Sequence, residues 1–321
     1  MASASREKII RELREEYMNR RGEAFEDSQR RKLALYDSIS EMREIDALLA
    51  MTATNIMSAV SSGEDIEAKI LKLRDDNKEL RSKRADLLVR SGYPADYTDI
   101  KYECEKCSDT GYIGIEMCPC MKTKLAYAML EESGLGALSK SQSFENFDLS
   151  YYSAAEIDRM KSNFDQLKDY AETFTADTTK SWLLYGDTGL GKTHLSTAVA
   201  KKVIDRGYEV CYQPMQAMVD DFADCQFRGE GRDSLQKYYE ADLLIIDDLG
   251  VELVNQFTVS SLYNIINYRM NNGKPMIIST NLTQEEIREK YMDRVTSRLF
   301  GMFHVLLFKG TDIRRQKLRR M

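Results

Sequence analysis

Proline is scarce in this chain, with 4 residues among 321. Because proline breaks helices, its scarcity favours long helical segments. The sequence also has no apolar run long enough to cross a bilayer and no recognisable secretory leader, so we expect a cytoplasmic protein with no membrane partner. Basic residues are not in excess, since the formal net charge is -6. A surface that is basic overall and coats nucleic acid is therefore excluded, and any contact with nucleic acid requires a local patch.

The composition is that of a folded chain with a charged surface. Hydrophobic residues make up 43% of the sequence and charged residues 31%, which is sufficient for packed cores in about two domains. Residues 1–100 are rich in charge and in helix formers, and they predict a helical domain. Residues 101–143 contain a cysteine-rich segment and a linker. Residues 144–321 alternate helical stretches with short β-rich runs, which is typical of an α/β sheet.

A heptad pattern in the N-terminal part predicts a stripe of side chains along one face of a helix. Its members are spaced alternately by four and three residues: Ile66, Ile70, Leu73, Asn77, Leu80, Arg84 and Leu87. An earlier helix over about 28–58 offers a complementary apolar face: Leu35, Met42, Ile45, Leu48 and Leu49. The simplest arrangement is a helical hairpin that turns near 62–63, in which Asn77 and Arg84 reduce stability but fix the register. The stripe packs either within the chain alone or also against a helix of a partner.

Four of the six cysteines are close together in the sequence. Cys104 and Cys107 form a C-x-x-C pair, and Cys118 and Cys120 form a C-x-C pair after a loop of ten residues. In a cytoplasmic chain, two thiol pairs separated by a short loop predict a four-cysteine zinc knuckle rather than disulfides. Such a zinc site would be structural, because four protein ligands leave no position for water. The C-x-C spacing leaves a redox pair or unliganded thiols as alternatives.

The segment from Gly186 to Thr193 matches the phosphate-binding pattern G-x-x-x-x-G-K-[ST] at every fixed position. A predicted strand at 181–185 precedes it and a predicted helix at 193–200 follows it, as the pattern requires. Glycines let backbone N–H groups turn toward phosphate, and the helix N-terminus adds a positive dipole end. We expect Lys192 to reach the β- and γ-phosphates and the Thr193 hydroxyl to bind Mg²⁺. The predicted nucleotide-binding residues of this segment are Gly186, Asp187, Thr188, Gly189, Leu190, Gly191, Lys192, Thr193 and His194.

Two further predicted strands end in polar residues that suit a nucleotide site. The strand at 243–246 is followed by Asp247 and Asp248. We expect Asp247 to bind the nucleotide's Mg²⁺, and Asp248 to orient or deprotonate an attacking water. The strand at 276–279 precedes Asn281, whose amide would hold that water beside the γ-phosphate. Alternatively, Asn281 only caps the next helix, where Thr283 and Glu286 form a capping box. The expected ligand is therefore ATP, or another nucleoside triphosphate, with Mg²⁺.

A set of motifs accompanies the phosphate loop in a fixed order. They are Phe-Glu-Asn-Phe-Asp (144–148), Ile-Asp-Asp-Leu-Gly (246–250), Ser-Thr-Asn (279–281), Arg-Val-Thr-Ser-Arg-Leu (294–299) and Gly-Thr-Asp-Ile-Arg (310–314). This set resembles the AAA+ ATPases of the DnaC/DnaI group, the bacterial and phage replicative helicase loaders. The resemblance covers about 144–314, and over 1–100 it is one of organisation only. It implies an α/β fold of the AAA+ P-loop type, with a parallel sheet flanked by helices, preceded by a helical domain and a zinc knuckle.

The resemblance also implies roles for arginines. Arg298 matches the arginine finger, which reaches the nucleotide of a neighbouring subunit, and Arg294 is the second choice. A surface salt bridge is the alternative role for both. Arg314 matches the sensor-2 arginine, which contacts the γ-phosphate within its own chain. One departure concerns Asp248, since most AAA+ proteins have Glu at this position. The shorter side chain implies slow ATP hydrolysis that a partner or DNA stimulates.

The function implied by the resemblance is ATP-dependent loading of a helicase. Such a loader self-associates through its AAA+ domains, binds a replicative helicase hexamer and single-stranded DNA, and delivers the helicase ring to DNA. Basic segments at 227–232 and 314–320 are candidate DNA contacts. The main alternative is an IstB-type transposition helper ATPase, which shares much of this core and acts on a transposase and duplex DNA. A small-molecule kinase is a third possibility, and it would work as a monomer without a role for Arg298.

Overall fold

A computed structural model describes residues 2–61, 66–135, 140–228 and 232–320. The chain divides into two compact units. One unit combines Met1–Leu13 with Glu116–Met321, and the other is Arg14–Ile115. The functional division into 1–100, 101–143 and 144–321 stays a prediction.

The N-terminal part is helical, as the sequence predicts. Its helices are α1 (Ala2–Ser38), α2 (Ser40–Ala50), α3 (Thr52–Ser61) and α4 (Ile66–Arg90). Helices α2 and α3 both pack against α4, and a small core forms around Leu35, Met42 and Leu88. Leu48 and Ile70, which the apolar patterns place on contact faces, are exposed.

The continuous helix predicted over about 28–58 is wrong, because this stretch is interrupted at residues 39 and 51. Hydroxyl groups beside both breaks bond back to the preceding turn. Ser38 Oγ donates to Leu35 O at 3.1 Å, and Thr52 Oγ1 donates to Leu49 O at 2.8 Å. Such back-bonding competes with the helical ladder and bends helices. The turn predicted near 62–63 lies outside the described residues.

Two polar residues of the predicted stripe make hydrogen bonds between helices. Asn77 Nδ2 donates to Thr52 Oγ1 at 2.8 Å, which links α4 to α3. Arg84 Nε donates to Asp46 Oδ1 at 2.6 Å, which links α4 to α2. A buried polar pair is satisfied in only one register, so these contacts support the register-fixing role expected from the sequence.

Short elements follow before the main sheet. They are strands β1 (Tyr112–Ile113) and β2 (Glu116–Met117), helix α5 (Pro119–Leu130) and a π-helical turn at Glu131–Leu135. A further 3-10 turn occupies Leu149–Tyr151.

The larger unit contains a five-stranded parallel sheet. Its strands are β3 (Trp182–Gly186), β4 (Val210–Pro214), β5 (Leu243–Leu249), β6 (Met276–Thr280) and β7 (His304–Phe308). The spatial order is β4-β5-β6-β3-β7, and each neighbouring pair is parallel. The predicted strands β3, β5 and β6 are confirmed. In a parallel sheet all carboxyl ends lie at one edge, and ligands bind there.

Helices cover both faces of this sheet. They are α6 (Ile157–Thr173), α7 (Lys192–Asp205), α8 (Met215–Ala223), α9 (Arg232–Glu240), α10 (Gln256–Asn271), α11 (Gln284–Met302) and α12 (Ile313–Arg320). Alternate strand residues face two separate cores: Leu184 and Ile245 pack with α6 and α7, and Leu183 and Leu244 pack with α8, α10 and α11. The layered α/β fold predicted from the sequence is therefore confirmed. No helix within the described ranges is both long and apolar enough to cross a membrane.

Candidate functional site

The phosphate-binding pattern lies between β3 and α7, at the carboxyl edge of the sheet. Gly186 ends β3 with φ +126°, and a Cβ atom there would lie 2.0 Å from Phe308 O. The next residue continues this close approach, because Asp187 N donates to Phe308 O at 2.9 Å. Only glycine fits where two backbones approach so closely, so the first glycine of the pattern sets the start of the loop against β7.

The end of the loop forms the first turn of α7. Gly191 is the N-cap residue, with left-handed φ of 84°, and a Cβ atom there would lie 2.6 Å from Phe147 Cε2. Leu190 is buried and its carbonyl accepts a hydrogen bond from Tyr152 Oη at 3.0 Å. The loop is therefore held between α7 and an aromatic segment that precedes the sheet.

Lys192 is the buried cation of the loop, with 5% of its surface exposed. Its Nζ donates to Gly186 O and to Asp187 O, both at 2.7 Å. Burial lowers the pKa of Lys192 to about 8, and the nearby carboxylates of Asp248 and Asp187 oppose that shift. A desolvated ammonium of this kind is stabilised by an anionic ligand.

Asp247 is the buried acid of the site, at 5% exposure. Its Oδ1 accepts hydrogen bonds from Thr193 Oγ1 at 3.3 Å and, in a very short contact, from Ser279 Oγ. Burial raises the pKa of the Asp247 carboxyl above its ordinary value, and the bond from Ser279 opposes that rise. Hydroxyl and carboxylate oxygens are the ligands that Mg²⁺ prefers, so the Thr193–Asp247 pair fits the predicted magnesium site.

The structure brings Asp248 and Asn281 together. Asn281 Nδ2 lies 3.4 Å from Asp248 Oδ1, and both residues line the same cleft. Asp248 has a positive φ of 55°, a strained conformation for a residue with a side chain. The capping box predicted at Thr283 and Glu286 is confirmed, so Asn281 lies beside a helix start as well as beside the acid. The catalytic roles of Asp248 and Asn281 stay predictions.

Lys192, Thr193, Asp248 and Asn281 line a cleft of about 220 Å³. Its lining also includes the loop residues Thr188, Gly189, Leu190, Gly191 and His194. Further lining residues precede the sheet, and the sequence analysis missed their place beside the loop: Gln142, Asn146, Phe147, Asp148, Tyr151 and Tyr152. The aromatic motif at 144–148, which precedes the sheet, was a signal for this contact. The centre of the Phe147 ring lies 5.2 Å from the centre of the His194 ring, edge to face.

The two predicted arginines occupy different places. Arg314, at the start of α12, lines the cleft, and its sensor-2 role stays a prediction. Arg298 on α11 is not among the described residues that line the cleft. Its Nη2 donates to Asn267 Oδ1 at 2.8 Å, and its guanidinium lies 4.4 Å from the centre of the Tyr263 ring. Arg294, the second choice, is exposed on the same helix.

The four clustered cysteines of the sequence, Cys104, Cys107, Cys118 and Cys120, are here called the cysteine cluster. The first pair belongs to the unit Arg14–Ile115, and the second pair belongs to the unit that contains Glu116–Met321. Four thiols are the donor set of a tetrahedral zinc site. Their identity as zinc ligands stays a prediction.

The candidate DNA-contacting loop is only partly described. Phe227 is 74% exposed, with its ring 5.4 Å from the Phe257 ring, and Arg228 pairs with Asp224 at 3.1 Å. Residues 229–231 lie outside the described residues. An exposed aromatic beside a basic residue suits base stacking and phosphate contact.

Comparison with known proteins identifies relatives over most of the chain. The XkdC protein of the phage-like element PBSX from Bacillus subtilis is 30% identical over 250 residues, a match that covers 72% of this chain and 91% of that protein. The replicative helicase loader DnaC of Escherichia coli is 26% identical, and the match covers 52% of this chain and 66% of the loader. A putative ATP-binding protein in an insertion sequence of Mycobacterium tuberculosis is 27% identical, and the match covers 47% of this chain and 62% of that protein.

The match therefore spans less than two thirds of the length of the latter two relatives. The family model of IstB-like ATP-binding proteins matches residues 126–320, which include the whole sheet and the cleft. The resemblance stated from the motifs is confirmed: this chain belongs to the IstB-like ATP-binding proteins, within the DnaC/IstB-like AAA+ group.

Proposed function

We propose that the chain is an AAA+ ATPase that binds ATP with Mg²⁺ in the cleft between β3 and α7. The observation that carries this proposal is the convergence of a buried lysine, a hydroxyl–carboxylate pair and a carboxylate–amide pair at one edge of the sheet. The lysine is Lys192, and the pairs are Thr193 with Asp247 and Asp248 with Asn281. The family to which the chain belongs supports ATP as the ligand.

Each group has a distinct task in the proposed reaction. Lys192 binds the β- and γ-phosphates, and Thr193 and Asp247 hold the metal, which neutralises phosphate charge when bound. Asp248 orients or deprotonates the attacking water, and Asn281, 3.4 Å from that carboxylate, fixes the water's position. The side chain of Asp is shorter than that of Glu, so we expect slow turnover that a partner or DNA stimulates.

Arg298 acts on the nucleotide of a neighbouring subunit in this proposal. Its guanidinium is half-buried on α11 against Tyr263 and Asn267, which restricts its motion. A restrained, permanently charged arginine supplied in trans can stabilise the charge of the transferring phosphoryl group. The proposed ATPase therefore works as an oligomer that associates through its AAA+ domains, and Arg314 contacts the γ-phosphate within each chain.

The biological task that we propose is loading of a replicative DNA helicase. The match to the helicase loader DnaC supports this task, and the N-terminal helices supply a separate unit for binding the helicase. In this scheme, ATP-bound subunits associate, hold the helicase hexamer, bind single-stranded DNA and deliver the ring. Zn²⁺ in the cysteine cluster has a structural role.

The family model and the insertion-sequence relative favour a second candidate. This candidate is a transposition helper ATPase that acts on a transposase bound to duplex DNA. Purified helicase and purified transposase, each immobilised and incubated with the chain and ATP, discriminate the two tasks. Retention on the helicase with preference for single-stranded DNA supports the loader, and retention on the transposase with preference for duplex DNA supports the helper.

The shared-site mechanism is tested by ATPase rates measured across protein concentration, with and without single-stranded DNA. We expect Arg298→Ala and Lys192→Ala to be inactive alone and to recover part of the activity when mixed, because each supplies the group that the other lacks. Arg288→Ala is the control, since this arginine is exposed in the segment of α11 that precedes the kink at Met292, and it pairs only with Asp293 among the described ion pairs. Turnover independent of concentration, with an active Arg298→Ala chain, would contradict the mechanism and favour a monomeric phosphotransferase.

A further inference from the structure

A β-bulge lies at the end of β5, where the two acidic residues are found. The ladder with β6 is regular up to Ile246 and resumes at Leu249. Across this interval β5 advances by three residues and β6 advances by two. Asp247 and Asp248 therefore share one opposing residue, Ser279. A bulge takes one residue out of the ladder and turns its side chain in a new direction, so the bulge determines where both carboxylates lie.

The Ser279 hydroxyl fills the gap that the bulge leaves. It accepts a hydrogen bond from Asp248 N at 3.0 Å and donates to Asp247 Oδ1. A serine hydroxyl has one donor and two acceptor positions, so it can make both bonds at once. The first satisfies a backbone N–H that the ladder does not pair, and the second restrains a buried carboxylate. Ser279 is fully buried, so it acts through the two acids.

A second hydroxyl reaches the same carboxylate oxygen. Thr193 Oγ1, in the first turn of α7, donates to Asp247 Oδ1 at 3.3 Å. Tyr212 on β4, which neighbours β5 in the sheet, has its hydroxyl 3.1 Å from Ser196 Oγ on α7. Of the two hydroxyls that bond to Asp247, the described hydrogen bonds give only that of Ser279 a contact with the backbone of Asp248.

We infer that Ser279 is a positioning residue that couples the predicted magnesium ligand Asp247 to the predicted water-orienting residue Asp248. The inference rests on the proposed binding of ATP with Mg²⁺. The donated hydrogen bond sets Asp247 Oδ1 toward Thr193, and the accepted one holds Asp248 in its left-handed conformation. Removal of the Ser279 hydroxyl frees the carboxylate of Asp247 and the backbone of Asp248 from this restraint. Removal of a buried hydroxyl that contacts neither acid affects only the stability of the fold.

The chain offers a matched control on the same strand. Thr280 is also fully buried, and its Oγ1 donates to the backbone of Leu249 at 2.7 Å. Thr280→Ala therefore removes a buried hydroxyl from β6 without removing a bond to either carboxylate. Ser279→Thr keeps the hydroxyl and adds a methyl group in a strand, where β-branched residues are favoured.

The test measures the Mg²⁺ concentration that gives half-maximal binding of a fluorescent ATP analogue, together with urea unfolding followed by Trp182 fluorescence. We expect Ser279→Ala to raise the Mg²⁺ midpoint by about 10- to 100-fold, the range found when a group that orients a metal ligand is removed. Binding of the analogue in EDTA should not change. Thr280→Ala should leave the Mg²⁺ midpoint within about twofold of wild type despite reduced stability, and Ser279→Thr should restore it.

The possible failures are distinguishable. If the wild-type chain does not bind the analogue, the proposed nucleotide site is wrong, and if it binds the analogue without any dependence on Mg²⁺, the proposed magnesium site is wrong. If the wild type depends on Mg²⁺ and folded Ser279→Ala has the same midpoint, the positioning role alone is refuted. The inference is also overturned if Thr280→Ala shifts the Mg²⁺ midpoint as much as Ser279→Ala does. It is likewise overturned if a folded Ser279→Thr chain keeps the shifted midpoint. Either result means that loss of the Ser279 hydroxyl is not the cause of the shift.

Discussion

Arg269 is the residue whose removal should destabilise the ATP-binding unit most clearly. It lies on α10 and is fully buried. Every described hydrogen bond that its side chain donates goes to a backbone carbonyl. Nη1 donates to Tyr238 O at 3.0 Å and Tyr239 O at 3.1 Å, and Nη2 donates to Ala241 O and Pro275 O, both at 2.9 Å. These carbonyls end α9 and precede β5 and β6. One guanidinium therefore joins the starts of the two strands that carry the acids and Asn281 at their far ends.

Arg269→Met keeps an unbranched apolar stem and removes every donor. A buried carbonyl that loses its partner destabilises the fold by about 1–3 kcal/mol. Two effects reduce the sum over four carbonyls: Pro275 O also accepts a hydrogen bond from Leu244 N at 3.3 Å, and burial of the charge is itself unfavourable. Burial lowers the pKa of Arg269 to about 10, which reflects that penalty. We therefore expect a loss of about 3–5 kcal/mol in the free energy of unfolding, as for other broken buried charge networks.

The assay is urea unfolding followed by the fluorescence of Trp182. This is the single tryptophan of the sequence, it lies in β3, and it is 1% exposed, so its signal reports on this unit rather than on the N-terminal helices. Tyr268→Phe is the matched control, because the neighbouring residue is exposed and donates only one described hydrogen bond, to Glu240 at 2.9 Å. The control should change stability by less than about 1 kcal/mol. An Arg269→Met chain within about 1 kcal/mol of wild type, on the scale of such surface changes, would refute the reasoning.

Three further predictions concern the loop, the N-terminal unit and the cysteine cluster. Gly191→Ala should weaken ATP binding at least about tenfold in a titration, because a left-handed alanine is unfavourable by about 1–2 kcal/mol and its methyl meets Phe147. Gly207→Ala, at another left-handed glycine with open space around it, should leave affinity unchanged. Asp46→Asn should destabilise the N-terminal unit by about 1 kcal/mol at pH 7 in denaturation followed by circular dichroism. Burial acts to raise the pKa of Asp46, but the hydrogen bonds from Arg84 and Tyr36 and the charges of Arg84 and Lys32 together lower it from its ordinary 3.8. The difference should therefore persist above pH 3.8 and vanish as the carboxylate is protonated below it. Native mass spectrometry should detect one zinc ion for each chain, released by thiol modification, and a metal-free folded chain would contradict the zinc prediction.

The local chemistry of the cleft was predictable because strand ends converge in a parallel sheet. The loop after β3, the acids at the end of β5 and the amide after β6 each follow a short apolar run in the sequence. Once these runs are strands of one parallel sheet, their carboxyl ends meet at one edge whatever the order of the strands. The cleft that contains Lys192, Asp248 and Asn281 follows from this rule.

Other parts of the site depended on which strands are neighbours. The contact of Ser279 with both acids requires that β6 lies beside β5 and that the ladder contains a bulge. Neither strand order nor a bulge has a signal in the hydrophobic pattern, because the pattern records which residues are buried and not which strands they meet. The breaks in the helix predicted over 28–58 were missed for a similar reason, since a hydroxyl that bonds back to its own turn looks like any polar residue in the sequence.

The sequence by itself determined the kind of chemistry available to this protein: a phosphate-binding loop, oxygen groups of the kind that magnesium prefers, and four clustered thiols. These depend on residue type and on spacing along the chain, which folding does not change. The tertiary structure decided how the groups are held, with Arg314 in the cleft and Arg298 away from it on α11. It also placed one buried serine between two acids that are adjacent in the chain. Such contacts arise only when strands distant in sequence are paired, because hydrogen bonds between them depend on sheet order and register.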